Sequence, residues 1–286
     1  MSEYHVLSLG AGVQSTALYL MFMRGDLKPR IDCAIFADTH EEPQAVYRHV
    51  EWLQSLNGPP ILVRTAGKLG DDLVSGRRTE GAGKARFATI PAFVVDGGSG
   101  SPGIQRRQCT KEYKLEVIKR TIRREILGLT KGERVAKGTA IMQYIGISLD
   151  ESVRASRIIK APRPAYLGVS FPLIDRFMTR ANCLDYLADK VPHETPRSAC
   201  TFCPYHSDYE WDRLKREDPA GWDRAVEIDH ALRAEGSVSK RGLDGILHLH
   251  RSCVPLELVQ LDTRPDPRKA QLSINFAAEC MGVCGV

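Results

Sequence analysis

The chain begins with a strand, a glycine-rich turn and a helix in direct succession, and this order constrains its fold more than any other feature. The apolar segment Tyr4–Leu9 runs into Gly10-Ala11-Gly12-Val13-Gln14-Ser15-Thr16, and the helix-compatible segment Ala17–Met23 follows at once. Such a turn directs several backbone N–H groups to one point, where the partial positive charge of the helix N-terminus favours phosphate. Ser15 and Thr16 can cap the helix, donate hydroxyl hydrogen bonds to a phosphate, or do both. The alternative is an ordinary tight turn between a strand and a helix.

A second predicted strand carries polar residues at its end. Residues Ile31–Ala37 are mostly apolar, which is typical of a buried parallel strand, and they lead into Asp38-Thr39-His40-Glu41-Glu42-Pro43. A helix is predicted from Gln44 to Leu56. Polar groups at the carboxyl end of a parallel strand, beside a glycine turn on the neighbouring strand, lie where open α/β sheets bind ligands. We therefore expect Asp38 to make a polar or magnesium-linked contact near a nucleotide; its alternative role is to cap the next helix.

The remaining segments complete an α/β pattern. Further strands are predicted at Pro60–Thr65, Ile141–Ile147 and residues 165–171, and helices at Lys111–Leu127, Thr179–Leu187 and residues 207–235. This alternation predicts an α/β fold, an open parallel five-stranded sheet of Rossmann-like type with helices on both faces. We expect a nucleotide-binding domain over residues 1–175, with a flexible insertion or lid at 67–108, and a helical and irregular cysteine-containing region over residues 176–286.

The composition argues against membrane and secreted proteins. The 286 residues are 43% apolar, which is enough for a full-sized core. No apolar run approaches the roughly 20 residues of a membrane span, and Met1–Leu9 lacks the basic start and long apolar segment of a signal peptide. We expect a cytoplasmic enzyme with no membrane partner. In a reducing compartment its eight cysteines indicate metal or redox chemistry rather than disulfides.

The cysteine spacing leaves three interpretations open. Cys200-Thr201-Phe202-Cys203-Pro204 is a Cys-x-x-Cys pair that can place two thiolates on one metal, and proline after the second cysteine also occurs in iron–sulfur ligand runs. The first interpretation is a 4Fe-4S cluster held by this pair and Cys109. The second is a structural zinc held by the pair with Cys280 and Cys284. The third is a thiol–disulfide pair.

Basic residues are concentrated in the middle of the chain. Between Ile104 and Lys137 there are eleven Lys or Arg and four Asp or Glu residues, a local excess of seven positive charges. Spaced along a helix, such residues can form an electrostatic face for a nucleotide or a nucleic acid. The alternative is a solvated helix balanced by acidic residues elsewhere. We expect an anionic substrate to be bound by Arg106, Arg107, Lys111 and Lys114.

Three of these motifs resemble a known family. The segment Gly10–Thr16 looks like a variant of the PP-loop of the adenine nucleotide α-hydrolase superfamily. Asp38-Thr39 with Glu41, Glu42 and Pro43 is similar to the aspartate–threonine motif of phosphoadenosine-phosphosulfate reductases and related ATP sulfurylases. Residues 145–154, Ile-Gly-Ile-Ser-Leu-Asp-Glu-Ser-Val-Arg, look like the later strand of that family and its acidic-then-arginine turn. The resemblance covers most of residues 1–210. The usual PP-loop form is Ser-Gly-Gly-Lys-Asp-Ser, and here Gly10, Val13 and Gln14 stand at its leading Ser, Lys and Asp.

The resemblance implies a set of site residues and cofactors. ATP would lie over the turn with Mg²⁺, bound by Gly10, Ala11, Gly12, Gln14, Ser15, Thr16, Asp38, Thr39, Gly146, Asp150 and Arg154. Several sulfur-inserting members use a 4Fe-4S cluster with only three protein cysteines. That arrangement implies a metal centre at Cys109, Cys200 and Cys203, with these cysteines and Asp38 as the catalytic residues.

The activity that the resemblance implies is ATP-dependent thiolation of a nucleobase-type carbonyl in a nucleotide, tRNA or DNA. The carbonyl oxygen would be adenylated, and sulfur from sulfide or a donor protein would displace AMP; a homodimer is one form we expect. One alternative is a reductase of the phosphoadenosine-phosphosulfate type, in which Asp38-Thr39 and the basic residues bind substrate and the cysteines act as reductants. Another is a non-catalytic nucleotide-binding component of a DNA sulfur-modification system.

Overall fold

All five predicted strands form, and each lies close to its predicted position. The structure is a computed structural model that describes residues 2–75, 90–95, 102–104, 108–234 and 245–263. Its strands are β1 (Glu3–Leu9), β2 (Cys33–Asp38), β3 (Ile61–Thr65), β4 (Phe93–Val95), β5 (Pro102–Ile104), β6 (Ala140–Ile145), β7 (Leu167–Ser170) and β8 (Leu247–His248). The main sheet has the order β3-β2-β1-β6-β7, and every neighbouring pair in it is parallel. A smaller antiparallel sheet has the order β5-β4-β8.

The order of the main sheet creates a crevice beside β1. Strands β2 and β3 lie on one side of β1, whereas β6 and β7 lie on the other. Connections leave β1 and β6 in opposite directions, and ligands of open α/β sheets bind at such a reversal, outside the carboxyl ends of the strands. The turn Gly10–Thr16 follows β1, and Gly146 follows β6. Both segments of the expected nucleotide site therefore lie at this crevice.

Helices cover both faces of the sheet, as predicted. Leu7 and Phe36 belong to a core that includes residues of α1 and α2, whereas Val6 and Ile35 belong to a core with Val117 of α4. Successive residues of a strand point to opposite faces, so this division is the alternation expected of a strand buried on both sides. The helices are α1 (Val13–Arg24), α2 (Gln44–Ser55), α3 (Leu69–Ser75), α4 (Glu116–Thr121), α5 (Ser152–Lys160), α6 (Pro172–Asp175), α7 (Arg180–Leu187), α8 (Asp208–Glu217) and α9 (Pro219–Arg233).

Two predicted helices differ in detail from those observed. The predicted helix Lys111–Leu127 is α-helical only in α4, which is flanked by π-helical turns at Thr110–Leu115 and Ile122–Ile126. The predicted helix over residues 207–235 is divided into α8 and α9, because Pro219 cannot continue a helix and Asp218 caps the new one through Gly221 N at 3.0 Å. The predicted cap of α7 is confirmed, since Thr179 Oγ1 accepts from Asn182 N at 3.2 Å.

A second core lies beyond the main sheet. It contains Leu69, Phe202, Trp211, Trp222 and Leu247, which come from α3, α8, α9, β8 and the loop before α8. Helix α7 instead packs on α1 and contributes Cys183 and Leu187 to the first core. The boundary at residue 175 stays a prediction. Within the described ranges, no helix has the length and apolar character needed to span a bilayer.

Gly146 joins the end of β6 to the glycine turn by a close backbone contact. A Cβ atom added at Gly146 would lie 2.8 Å from Ser15 N and 2.9 Å from Ser15 Cα. Both are backbone atoms at the start of α1, so they cannot rotate away as a side chain would. Only glycine therefore allows the two segments to meet at this distance.

We predict that Gly146→Ala lowers the free energy of unfolding by about 2 kcal/mol or more, because overpacking against a fixed backbone costs roughly 1–3 kcal/mol. Urea unfolding followed by circular dichroism measures this change. The matched control is Gly103→Ala, because a Cβ there would lie 3.5 Å from Val94 Cγ1, which is an ordinary contact. Equal stability of the two variants would contradict the close contact.

Candidate active site

The glycine turn is held closed by its own serine. Ser15 Oγ accepts a hydrogen bond from Gly12 N and donates one to Gly12 O, both at 3.2 Å. Ala11 has φ of +56°, a left-handed conformation that glycine adopts more readily. Residues 11–16 are all buried. Of the two roles open to Ser15, the structure shows the cap.

Gln14 links the turn to the segment after β6. Its Nε2 donates to Glu151 Oε2 at 3.1 Å, and its Oε1 accepts from Arg180 Nη1 at 3.0 Å. Arg154 Nη1 donates to Glu151 Oε1 at 2.8 Å, while Asp150 Oδ1 accepts from Arg180 N at 3.1 Å. Gln14, Asp150 and Arg154 therefore lie together at the crevice, and their binding of ATP stays a prediction. Arg180 was missed, because its place beside Gln14 depends on how α7 docks on α1.

A buried histidine connects the turn to the surface. Thr16 Oγ1 lies 2.9 Å from His49 Nε2, and His49 Nδ1 lies 2.8 Å from His193 Nε2. His49 has no exposed surface, whereas His193 is exposed. Burial, and secondarily the neighbouring His193, lower the pKa of His49 to about 3. His49 is thus neutral at physiological pH and holds Thr16 in a fixed hydrogen bond. No local sequence pattern indicated this contact.

Asp38 is engaged within the turn that follows β2. Its Oδ1 accepts from the Tyr47 hydroxyl at 3.0 Å and from His40 N at 2.8 Å. Burial and the adjacent carboxylate raise the pKa of Tyr47 well above its usual range, so Tyr47 stays a hydrogen-bond donor. Asp38 is only 6% exposed and ties the turn to α2. Its expected contact with magnesium stays a prediction.

The three predicted cysteines meet in one pocket. Cys109, Cys200 and Cys203 line it together with Thr39 from the end of β2 and Lys114 from the π-helical turn. A hydrogen bond with Cys203, together with burial and nearby negative charge from Cys203, Glu42 and Cys109, raises the pKa of Cys200 well above its ordinary value. The backbone turn is closed by Cys203 N, which donates to Cys200 O at 3.0 Å. Folding therefore brings Cys109 to the Cys-x-x-Cys loop, which no spacing could establish.

A buried ion pair borders this pocket. Lys114 Nζ lies 3.1 Å from Glu42 Oε1, and the Thr39 hydroxyl donates to the same oxygen at 3.3 Å. The side chain of Glu42 is 1% exposed and that of Lys114 10%. Glu42 Oε2 has no hydrogen-bond partner among the described residues. Lys114 is thus paired with Glu42, and its expected role in substrate binding stays a prediction.

The other basic residues do not form one uniform face. Lys111 is exposed, as a substrate-binding residue should be, but Arg120 Nη2 donates to Thr65 O at 2.7 Å and Arg123 Nη2 donates to Glu133 O at 2.5 Å. Two arginines of the helix thus bind backbone carbonyls of neighbouring segments. Arg106 and Arg107, the remaining predicted substrate-binding residues, lie outside the described residues.

The pocket offers the kind of donor that a metal centre uses, but the structure does not arrange its described side chains around a metal position. Three cysteines line it, and thiolates are the ligands that iron–sulfur clusters and structural zinc sites use. Across the described ranges, no group of three or more His, Cys, Asp or Glu side chains is arranged so that it could hold a metal ion. Cys280 and Cys284, the other two ligands of the zinc interpretation, lie outside the described residues.

Comparison with known proteins gives no relative: no protein-family model and no curated protein matches this chain.

We predict that His49 makes the protein sensitive to acid. Its pKa is about 3 in the folded protein but about 6.5 in the unfolded chain, so the unfolded chain takes up the proton first as the pH falls. Above about pH 6.5 His49 is neutral in both states and does not lower the free energy of unfolding. Between about pH 6.5 and pH 3 the free energy of unfolding falls, because only the unfolded chain is protonated at this residue. Between pH 8 and pH 5 the loss is about 2 kcal/mol, from 1.36 kcal/mol per pKa unit. Urea unfolding at both pH values measures the fall in the free energy of unfolding, which should be smaller by this amount in His49→Gln than in the wild type. Equal falls in the two proteins would contradict the assignment.

We also predict that Lys114→Met lowers the free energy of unfolding by about 3 kcal/mol, because it leaves the buried Glu42 carboxylate without its cation. The double variant Glu42→Gln/Lys114→Met should recover part of this loss. Lys111→Met is the matched control: it lies on the same helical turn but is exposed, so its effect should stay within about 0.5 kcal/mol. Chemical unfolding measures the free energy of unfolding of all three variants. An unchanged value in Lys114→Met would contradict the buried ion pair.

Proposed function

We propose that the protein is an ATP-dependent sulfurtransferase that thiolates a nucleobase-type carbonyl. The observation that carries the proposal is that Cys109, Cys200 and Cys203 line one pocket with Thr39 at the carboxyl end of β2. The glycine turn lies at the end of the adjacent strand β1. A phosphate-binding turn and a group of three thiols at neighbouring strand ends suit a reaction that uses both ATP and sulfur.

The turn would bind the phosphates of ATP. Backbone N–H groups at the start of α1 and the positive end of the helix favour the charge that develops on a phosphate, and Mg²⁺ neutralises the remainder. The carbonyl oxygen of the acceptor attacks the α-phosphorus, and the bond to pyrophosphate breaks. This step converts a poor leaving oxygen into AMP. Gln14, fixed by Glu151 and Arg180, keeps the turn and the segment after β6 in register.

The cysteine pocket would supply the sulfur. Hydrosulfide attacks the activated carbon, the carbon–oxygen bond to AMP breaks, and the proton of hydrosulfide is released as the thiocarbonyl forms. When bound by Cys109, Cys200 and Cys203, a 4Fe-4S cluster would supply an iron that presents this sulfide. The predominantly apolar wall of the pocket, which includes Leu69, Ile90 and Phe202, excludes water that would otherwise hydrolyse the adenylate.

One observation favours a second candidate. Cys200 and Cys203 belong to one tight turn, in which Cys203 N donates to Cys200 O at 3.0 Å, so a disulfide between them would close a very short loop. A reductase that converts phosphoadenosine phosphosulfate to sulfite would use such a pair. The two thiols give up two electrons and two protons and become a disulfide, the bond between sulfur and the phosphate oxygen breaks, and sulfite and adenosine 3′,5′-bisphosphate are released. This candidate needs no ATP and forms no pyrophosphate.

The test is an acceptor screen with the full-length protein purified without oxygen. Magnesium ATP and sodium sulfide are supplied with nucleoside monophosphates, unmodified tRNA or duplex DNA, and mass spectrometry detects AMP, pyrophosphate and thiolated bases. We expect AMP and a thiolated base in equal amounts with one acceptor. Cys109→Ala should lose thiolation by at least about a hundredfold, whereas Cys253→Ala, whose thiol lies outside the pocket, should retain it.

Three outcomes would contradict this proposal. The absence of AMP with every acceptor excludes adenylation. Release of sulfite from phosphoadenosine phosphosulfate, without ATP, identifies the reductase. Tight binding of ATP without turnover, in a complex with DNA, identifies a non-catalytic component of a DNA sulfur-modification system.

A further inference from the structure

The loop that carries the cysteines also lies against the glycine turn. A Cβ atom added at Gly12 would lie 3.2 Å from Ser198 Cβ, 3.3 Å from Ser198 N and 3.8 Å from Pro196 O. Ser198 stands two residues before Cys200. Residues 196–198 therefore cover the turn at Gly12, the N-cap of α1.

Ser198 has a buried hydroxyl group that nothing in the described structure satisfies. The residue is 4% exposed, and its Oγ has no hydrogen-bond partner among the described residues. A buried hydroxyl without a partner is unfavourable for folding. Alanine at this position would avoid that cost. A serine that is unfavourable for folding and lies beside a phosphate-binding turn is typical of a residue kept for a ligand.

Other sides of the turn are already occupied by protein. Gly146 approaches Ser15 N so closely that not even a Cβ atom fits between them. The side chain of Thr16 is bound to His49, and that of Ser15 to Gly12. A phosphate that reaches the start of α1 at Gly12 therefore meets the Ser198 segment.

We propose that the Ser198 hydroxyl is a ligand of the nucleotide phosphates and that it links phosphate binding to the cysteine pocket. The inference rests on the nucleotide site of the proposed function, but it requires only that phosphates bind at the turn. Ser198 donates its hydroxyl hydrogen to a phosphate oxygen, which satisfies the buried group. The phosphate thereby fixes the backbone of residues 196–200, and so the position of Cys200.

The rest of the loop is suited to transmit this effect. Thr201 N donates to Glu41 O at 2.7 Å, which attaches the Cys-x-x-Cys turn to the segment after β2. At the other end, His193 contacts His49, which in turn contacts Thr16 of the glycine turn. The loop is therefore held on both sides of Ser198, by Glu41 at one end and by His49 at the other. Because Cys200 lies between Ser198 and the anchor at Thr201, a shift of Ser198 would also move Cys200.

The test measures binding of magnesium ATP and of inorganic pyrophosphate to the full-length protein by isothermal titration calorimetry. We expect Ser198→Ala to weaken both by at least about tenfold, since a hydrogen bond to a charged group is lost. Its melting temperature should be unchanged or higher, because an unsatisfied buried hydroxyl is removed. Ser55→Ala is the matched control, since that serine is exposed at the end of α2 and should bind like the wild type.

A second measurement tests the link to the cysteines. Alkylation of Cys200 and Cys203 is followed by mass spectrometry with and without pyrophosphate. We expect pyrophosphate to change their alkylation rates at least about threefold in the wild-type protein and not in Ser198→Ala at pyrophosphate concentrations that saturate both proteins. Cys253 is the internal reference, because it lies outside the pocket.

The outcomes separate this inference from the proposed function. Unchanged affinity in a folded Ser198→Ala protein overturns the inference even if thiolation is observed. Weakened affinity with altered alkylation supports it even if no acceptor yields AMP. A wild-type protein that binds neither ATP nor pyrophosphate overturns it as well.

Discussion

The site depends on the contact between Gly146 and the backbone of Ser15. Gly146 follows β6 and Ser15 lies in the first turn of α1, and the two meet at the crevice where the connections leave β1 and β6 in opposite directions. Gln14 then reaches Glu151 and Arg180 across the same gap. Because the contact is between backbone atoms, it leaves no freedom to adjust. The position of the glycine turn relative to the later strand is therefore fixed before any ligand binds.

A second feature of the site is that several polar and charged side chains around it are buried. The Glu42–Lys114 pair and the Thr16–His49 hydrogen bond are both removed from water, where an unpaired polar or charged group would be costly. Such groups contribute less to stability than apolar packing of the same volume would. They fix orientation instead, since their partners lie at definite distances. The hydroxyl of Ser198 is a contrast, because its partner is not among the described residues.

Most of the architecture could be predicted from local patterns. Apolar runs of the right length predicted the five strands, and Thr179 predicted the start of α7, because strand burial and helix capping depend on neighbouring residues. Pro219 is also a local signal, because proline cannot continue a helix, but the prediction of one helix over residues 207–235 did not take it into account. The π-helical turns around α4 left no local signal. In the site, sequence reasoning selected the three cysteines and Gly146 but could not find Arg180, His49 or Ser198.

The sequence by itself determined which elements form, which face of each is apolar, and that a glycine turn and a polar strand end lie on adjacent strands. Local patterns carry this information because it depends on periodicity and turn chemistry alone. The tertiary structure decided which distant side chains meet. Cys109 joins the Cys-x-x-Cys loop, Lys114 turns inward to Glu42, and Ser198 covers Gly12. These contacts join segments far apart in the chain, so they depend on how the helices, strands and loops pack against each other in the folded protein.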